Sequence, residues 1–304
     1  MRARQRGAAI VLAMSVVALA ALAATAMMVT QSTWSRRNEL TSDHVQAQFV
    51  VRAGVDFARA LLSDDRRASA VDHLGETWAQ RLSPMPVDNG RLGGHIEDQQ
   101  AAFNLNNLVD NGGISITQLA RFRRLLTILG LPAELADALA DWVDADSQPQ
   151  PQGGAEDSYY LTLARPYLAA NRPLIDVTEL ALVRGFDSNV RARLRPFVTA
   201  LPRFTAVNVN TATPEVYAAI VEGLSLDAAR DLIAKRERAY FRDSADFINR
   251  LPAGATVPGE VIAVSSMYFM ATVQANIGTA EARGTALLAR ADRGWPAVVW
   301  SKLL

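Results

Sequence analysis

The sequence predicts an α+β protein: one long N-terminal helix packed on an antiparallel sheet, with a large all-α segment inserted between the strands. Three observations carry this reading. An uncharged run from Ala8 to Val29 passes into a segment with helical periodicity that reaches Leu62. Residues 88–106 and the stretch after Pro258 read as strand, rich in β-branched and aromatic residues with partial alternation. Between them, residues 104–256 carry helix signals, and a pattern in the first half of that segment returns in the second.

With 304 residues, half of them hydrophobic, the chain is long enough for two domains or for one domain with an insertion. The formal charge is zero, which argues against a dedicated nucleic-acid binder, since those carry a basic excess. There is no cysteine, so disulfides, thiolate metal sites and a cysteine nucleophile are excluded. His44, His73 and His95 are scattered without metal-ligand spacing. No phosphate-binding glycine loop and no Gly-x-Ser-x-Gly elbow occurs, and the expected role is not enzymatic.

The N-terminal run is about 22 residues long, close to the roughly 20 that cross a bilayer and longer than a secretory signal core. A cleaved signal, cut near Ala21–Ala23 or Ala24–Ala26, is the rival. Arg2, Arg4 and Arg6 precede the run and hold the N-terminus in the cytoplasm; Arg36 and Arg37 follow it and weaken the asymmetry. Beyond Asn38, apolar residues recur as Val45, Phe49, Val51, Val55, Ala58 and Leu62, with no proline before Pro84. One helix over 8–63 would be roughly 80 Å long; a plain anchor followed by a separate core helix fits the periodicity equally well.

Arg6-Gly7 directly before such a helix resembles the type IV pilins and pseudopilins. That resemblance implies a pilin-like fold, cleavage by a prepilin peptidase between Gly7 and Ala8, and N-methylation of Ala8. Most members carry a glutamate five residues after the cut, where this chain has Leu12. A carboxylate there can pair with the terminal amine of a neighbouring subunit inside lipid, where an unpaired charge is costly.

In the helical middle, Asn104-Leu105-Asn106 precedes a helix over 116–129, and Leu129-Gly130-Leu131 leads into one over 133–143. The pattern returns as Val207–Thr213, a helix over 214–222, Gly223-Leu224-Ser225 and a helix over 226–238. Asp176-Val177-Thr178-Glu179 is a capping box, Asp187 opens the next helix, and Asp243–Phe247 is a shorter version of the same start. These units resemble helix-hairpin-helix, or SAM-like, modules, and Val207–Phe241 resembles that of membrane-anchored competence DNA receptors. The hairpins have one glycine each, Gly130 and Gly223, with Pro132 and Ser225 following. Without a basic footprint, a packing role is favoured over phosphate binding.

Asp141, Asp144, Asp146, Glu156 and Asp157 put five carboxylates within 17 residues, separated by a Pro-, Gln- and Gly-rich stretch. Such a loop can turn several oxygens toward one hard cation, and Ca²⁺ accepts six to eight at flexible angles. The Asp-x-Asp start resembles an EF-hand, but the required glycine is missing and Ala155 stands at position twelve. A solvated acidic loop is the alternative.

The leader, Leu12, FNLNNLV, VNVNTATPE and DWVDADSQPQPQGGAEDSYY together resemble the protein K family of minor pseudopilins from type II secretion systems, over essentially the whole chain. The resemblance implies a calcium-binding insertion with Asp144, Asp146, Glu156 and Asp157 as ligands; Asp141 is the less certain member and could face the helix surface. It also implies a place at the pseudopilus tip with other minor pseudopilins above the major one, and contact with secreted substrates. The location implied is the inner membrane, single-pass, with the bulk periplasmic. A tip subunit has no earlier subunit to contact, which suits Leu12, and a bulky insertion would block further additions. The expected divisions are a leader (1–7), a membrane segment (8–30), the upper helix with the first strands (31–103), an insertion (104–256, in units of about 104–200 and 201–256) and C-terminal strands (257–304). A membrane-anchored DNA-binding module is the alternative function.

In the last segment Val261–Ile277 reads as strand, Gly278-Thr279 as a turn, Ala280–Arg290 as strand or helix, and Ala297–Ser301 as a final strand.

Overall fold

In the computed structural model, residues 3–291 and 294–303 are described. Met1 and Arg2 of the expected leader lie outside them. Helix α1 runs unbroken over Ala3–Ala68, so the apolar run and the core segment are one element. Proline is absent from it, and hydroxyls at Ser15, Thr25, Thr30 and Thr33 donate to carbonyls one turn back, so these polar side chains are satisfied within the helix itself. Residues 8–42 are exposed along the whole circumference of the helix.

The upper half of α1 buries Ala47, Val51, Ala58 and Leu62 against a sheet. Val45 and Phe49, expected on the same stripe, are instead 45% and 61% exposed. An i, i+4, i+11, i+15 stripe from Ala47 excludes them, because they sit on the far side of the helical wheel.

The sheet has five antiparallel strands in spatial order β1 (Leu82–Val87), β2 (Gly90–Asp98), β3 (Tyr268–Ile277), β4 (Ala280–Ala289) and β5 (Ala297–Leu303). β1 was not anticipated, since Pro84 and Pro86 read against strand; it is an edge, where a missing N–H costs no ladder bond. The strand expected over 88–106 ends at Asp98 and gives way to 3₁₀ turns. Ala280–Ala289, ambiguous in sequence, is strand. It lies between β3 and β5 with Ala286, Leu287 and Leu288 all buried, so both faces are apolar and no alternation is visible.

Helix and sheet approach closely at Gly54, where a Cβ would lie 2.5 Å from Val273 Cγ1, and at Gly284, where it would lie 2.5 Å from Val51 Cγ1. Gly54→Leu should therefore push the helix off the sheet and cost about 1–3 kcal/mol by overpacking. Urea unfolding followed by tryptophan emission measures it, and an unchanged midpoint would show that the contact yields.

The chain leaves the sheet after β2 and returns before β3. The insertion between them holds α2 (Ile116–Ile128), α3 (Leu135–Val143), the single turn α4 (Asp157–Tyr160), α5 (Ser188–Leu194), α6 (Pro214–Ile220), α7 (Leu226–Arg238) and α8 (Ser244–Asn249). One apolar core runs through it, from Phe103 to Ile262. The Asp176 capping box forms as expected, but on a 3₁₀ helix, Val177–Leu182.

The asparagines do not open the long helices; Ser115 and Thr213 stand at those N-termini. They clamp distant backbone instead. Asn106 accepts from Leu174 N–H (2.8 Å) and donates to Leu174 C=O (2.9 Å). Asn210 makes the same pair of bonds to Phe241. Two residues past each clamped residue stands an aspartate N-cap, Asp176 or Asp243. The internal echo thus recurs as a paired backbone clamp followed by an aspartate cap, while the chain between differs. α7 ends just before Phe241, whereas the whole acidic loop lies between the end of α3 and Leu174.

A buried polar joint ties helix, sheet and insertion together. Arg290 reaches Asp65 of α1 (2.8 Å) and Asp72 just beyond it (2.5 Å), with its guanidinium 4.4 Å from the Phe269 ring centroid. Asn208 donates to Asp72 C=O and Asp98 Oδ2, and Ser266 and Thr211 hydroxyls donate to the same Asp98 oxygen.

Candidate metal centre in the acidic loop

The loop grows from the C-terminus of α3. Ala136, Leu139, Ala140 and Val143 bury the helix, and Trp142 packs edge-on against Tyr160 (5.1 Å), which stacks on Tyr167 (5.3 Å). This aromatic floor fixes both ends of the loop, α3 on one side and α4 on the other. Asp144 follows as the C-cap residue and Glu156 stands at the N-cap of α4.

One carboxylate oxygen from each of Asp144, Asp146 and Glu156 falls within 4.8 Å of the others. Asp144 and Glu156 are 1% and 2% exposed, and none of their four carboxylate oxygens has a hydrogen-bond partner. Burial first, then repulsion from Asp146 and Asp141, pushes the Asp144 carboxyl up to about 7. Burial, then Asp141 and Asp144, raises Glu156 to about 7. Buried, unpartnered carboxylates are expensive unless a cation meets them. The donors are all hard oxygens, which suits Ca²⁺, Mg²⁺ or Mn²⁺ rather than a thiolate-type metal.

Asp141 does not face the helix surface. It is fully buried and accepts the Gln150 N–H at 3.2 and 3.1 Å through its two oxygens, closing the loop, while burial raises it to about 6. Gly154 is obligatory beside it, because a Cβ there would stand 2.2 Å from Asp141 Oδ2. Asp157 lies outside the three-carboxylate group; its Oδ1 accepts Ala169 N–H at 2.8 Å and ties down the returning chain.

Asn171 was not foreseen. Its Oδ1 is buried and unpartnered, its Nδ2 donates to Asp146 C=O, and its φ of +45° holds it in the left-handed region that asparagine tolerates. That holds a buried, unpartnered amide oxygen on a residue bonded to the acidic loop. No local pattern marks it, since it joins the loop only through the fold.

A second acidic group, Asp65, Asp72 and Glu76, has hydrogen-bond partners within the protein for each of its carboxylates, unlike Asp144 and Glu156. Arg290 pairs with the two aspartates, and Glu76 Oε2 accepts from His73 N–H and the Trp78 indole. The helical hairpins are likewise engaged. Glu222 N–H donates to Thr256 C=O, a Cβ at Gly223 would stand 2.8 Å from Gly254 C=O, and the Arg193 guanidinium caps Leu129 C=O beside Gly130.

A long N-terminal helix, apolar and exposed in its first half and packed on an antiparallel sheet in its second, with a helical region inserted between the strands, defines a pilin-like subunit. Family models described as type II secretion system (T2SS), protein K match residues 101–203 and 207–265. The chain is 38% identical to type II secretion system protein K of Pseudomonas aeruginosa, covering 91% of this chain and 86% of that one. It is 34% identical to the Klebsiella pneumoniae protein of that name, over 96% and 95% of the two chains. A chain in the crystal structure of the GspK-GspI-GspJ complex from enterotoxigenic Escherichia coli superposes with a TM-score of 0.76 at 26% identity, covering 88% of this chain and 99% of that one. The chain belongs to the type II secretion system protein K family, and it is a minor pseudopilin, a structural component of the secretion machinery.

Proposed function

We propose that this minor pseudopilin sits at the tip of a periplasmic pseudopilus and starts or limits its assembly during export of folded proteins. The observation that carries this is the stem helix with Leu12 in place of a carboxylate, joined to an insertion too large to leave room for subunits above it. Its partners are two other minor pseudopilins, as in the complex of the structural relative, with the major pseudopilin below. The leader is removed between Gly7 and Ala8, Ala8 is methylated, and the single span leaves the N-terminus cytoplasmic and the head in the periplasm. The role is mechanical rather than catalytic, and nucleic acid is not a ligand.

Within the insertion, 104–200 and 201–256 are two related helix-hairpin-helix-type units serving packing. The acidic loop binds one Ca²⁺ through Asp144, Asp146 and Glu156, supported by Asn171, with Asp141 and Asp157 shaping the loop. The ion supplies the positive charge that two buried carboxylates lack. Deleting the gene should leave secreted proteins trapped in the periplasm, and restoring it should release them. N-terminal sequencing of the mature protein should begin at Ala8. Normal secretion in the deletion strain would overturn the assignment.

A further inference from the structure

The face of the sheet turned away from α1 carries a basic groove. Val273 packs on Gly54 of the helix, so Thr272, Gln274 and Asn276 of β3 point to the opposite side. In register beside them lie His95, Gly93 and Arg91 of β2, and Arg283 of β4 stands across from Gln274. With Arg81 and Pro84 from the edge, these residues line a groove of about 420 Å³.

Three arginines and a histidine line it, and no carboxylate does. Arg81, Arg91 and Arg283 have no ion-pair partner among the described residues, although Arg283 donates to Gln274 Oε1. Two acids flank the groove on this face: Glu281 accepts from Gln274 Nε2 (2.8 Å), and Glu97 lies 3.6 Å from His95 and pairs with it when the ring is protonated. In a chain of zero net charge, three arginines beside two carboxylates leave this face with a local positive excess, concentrated in the groove itself.

Gly93 forms the notch in the groove. Its φ lies outside the left-handed region, and a Cβ there would meet Pro84 and the Leu82 carbonyl at ordinary contact distances of 3.6 and 3.8 Å. Neither backbone conformation nor packing requires glycine, and the missing side chain leaves space between Arg91 and His95.

We propose that this groove docks an acidic, extended segment of a partner protein. Arg91 and Arg283 flank β3 diagonally, about 12 Å apart at the Cα atoms by sheet geometry. Acidic residues four positions apart on one edge of an extended segment span a similar distance. Lipid headgroups are the other abundant anions, but they are out of reach. The β3–β4 turn packs on α1 at Asp43, and the helix rises roughly 20 Å between Thr30, where the span ends, and that point.

The test uses the full chain in neutral phosphatidylcholine nanodiscs and a fluorescein-labelled octaglutamate peptide, followed by anisotropy. Saturable binding that weakens as salt rises is expected. Arg91→Gln with Arg283→Gln should lower affinity at least tenfold. Gly93→Val, which suits a strand and leaves charge unchanged, should also weaken binding by filling the notch, with the melting temperature retained. Absence of binding, or binding that survives both variants, overturns the proposal. Competition by inorganic phosphate or phosphatidylglycerol vesicles at equivalent charge also overturns it, in favour of a small-anion or lipid site.

Discussion

Arg290→Ala lowers the unfolding free energy by about 3–5 kcal/mol, the range for removing one partner of a buried ion pair. Asp72 is 2% exposed and Arg290 5%, so neither charge can recruit water once its partner is gone. The loss is also architectural, because Asp72 receives Ser266 N–H (2.7 Å) and its carbonyl receives Asn208. Strain there reaches the points where the insertion leaves and re-enters the sheet. Asp65→Asn, Asp72→Asn and Arg290→Met together should recover most of the stability, since no charge is then stranded. Chemical denaturation of the full chain in detergent measures both. An Arg290→Ala protein within 1 kcal/mol of the parent, a threshold set by the ordinary spread of surface substitutions, would show that the joint is not held by its charges.

The same joint has a defined pH response. Burial first, then Glu76, pushes Asp65 up to about 7, and burial raises Asp98 to about 6. Carboxyls with a folded value above the unfolded one keep a proton in the folded state that the unfolded chain has released. Their contribution is therefore greatest below about pH 4 and declines as pH rises toward 7. Arg290 opposes the upward shift of Asp65, so removing it should extend that decline to higher pH.

Adding Ca²⁺ should raise the melting temperature, and free ion at a hundred times its dissociation constant would contribute about 2.7 kcal/mol. In chelator, Asp144 and Glu156, both pushed to about 7, make the site progressively destabilising as pH rises from about 4 to 7, by the same sign rule. With calcium the dependence reverses, because the ion must displace those protons and binds more tightly at higher pH. Asp144→Asn with Glu156→Gln should abolish the calcium response and make the chelated protein more stable than the chelated parent. Asn171→Ala should weaken calcium binding while changing stability in chelator much less. Terbium emission excited through Trp142 and the neighbouring tyrosines offers a direct readout. A calcium response that persists in the double variant moves the ion elsewhere.

Periodic elements were the legible part of this fold. α2 and α7 fall where apolar spacing and caps put them, because a helix writes its period locally, while the strand expected over 261–277 forms only from Tyr268 onward. β1 was hidden by its two prolines, and β4 by burial on both faces. The acidic loop could be found by composition, and Asp144, Asp146 and Glu156 do come together. The separate task of Asp141, which binds the loop's own backbone, could not be read from spacing.

By itself the sequence determined the long apolar N-terminal helix, the order of the periodic elements, the acidic loop and the family, since each is carried by neighbouring residues or by a pattern along the chain. Only the tertiary structure decided that the asparagines of FNLNNLV and VNVNTATPE are clamps rather than helix starts, that Asn171 reaches the acidic loop, and that Arg290 answers Asp65 and Asp72. The reason is common to all three. A buried polar group must find its partner wherever the fold brings one, and Arg290 lies more than two hundred residues beyond Asp72.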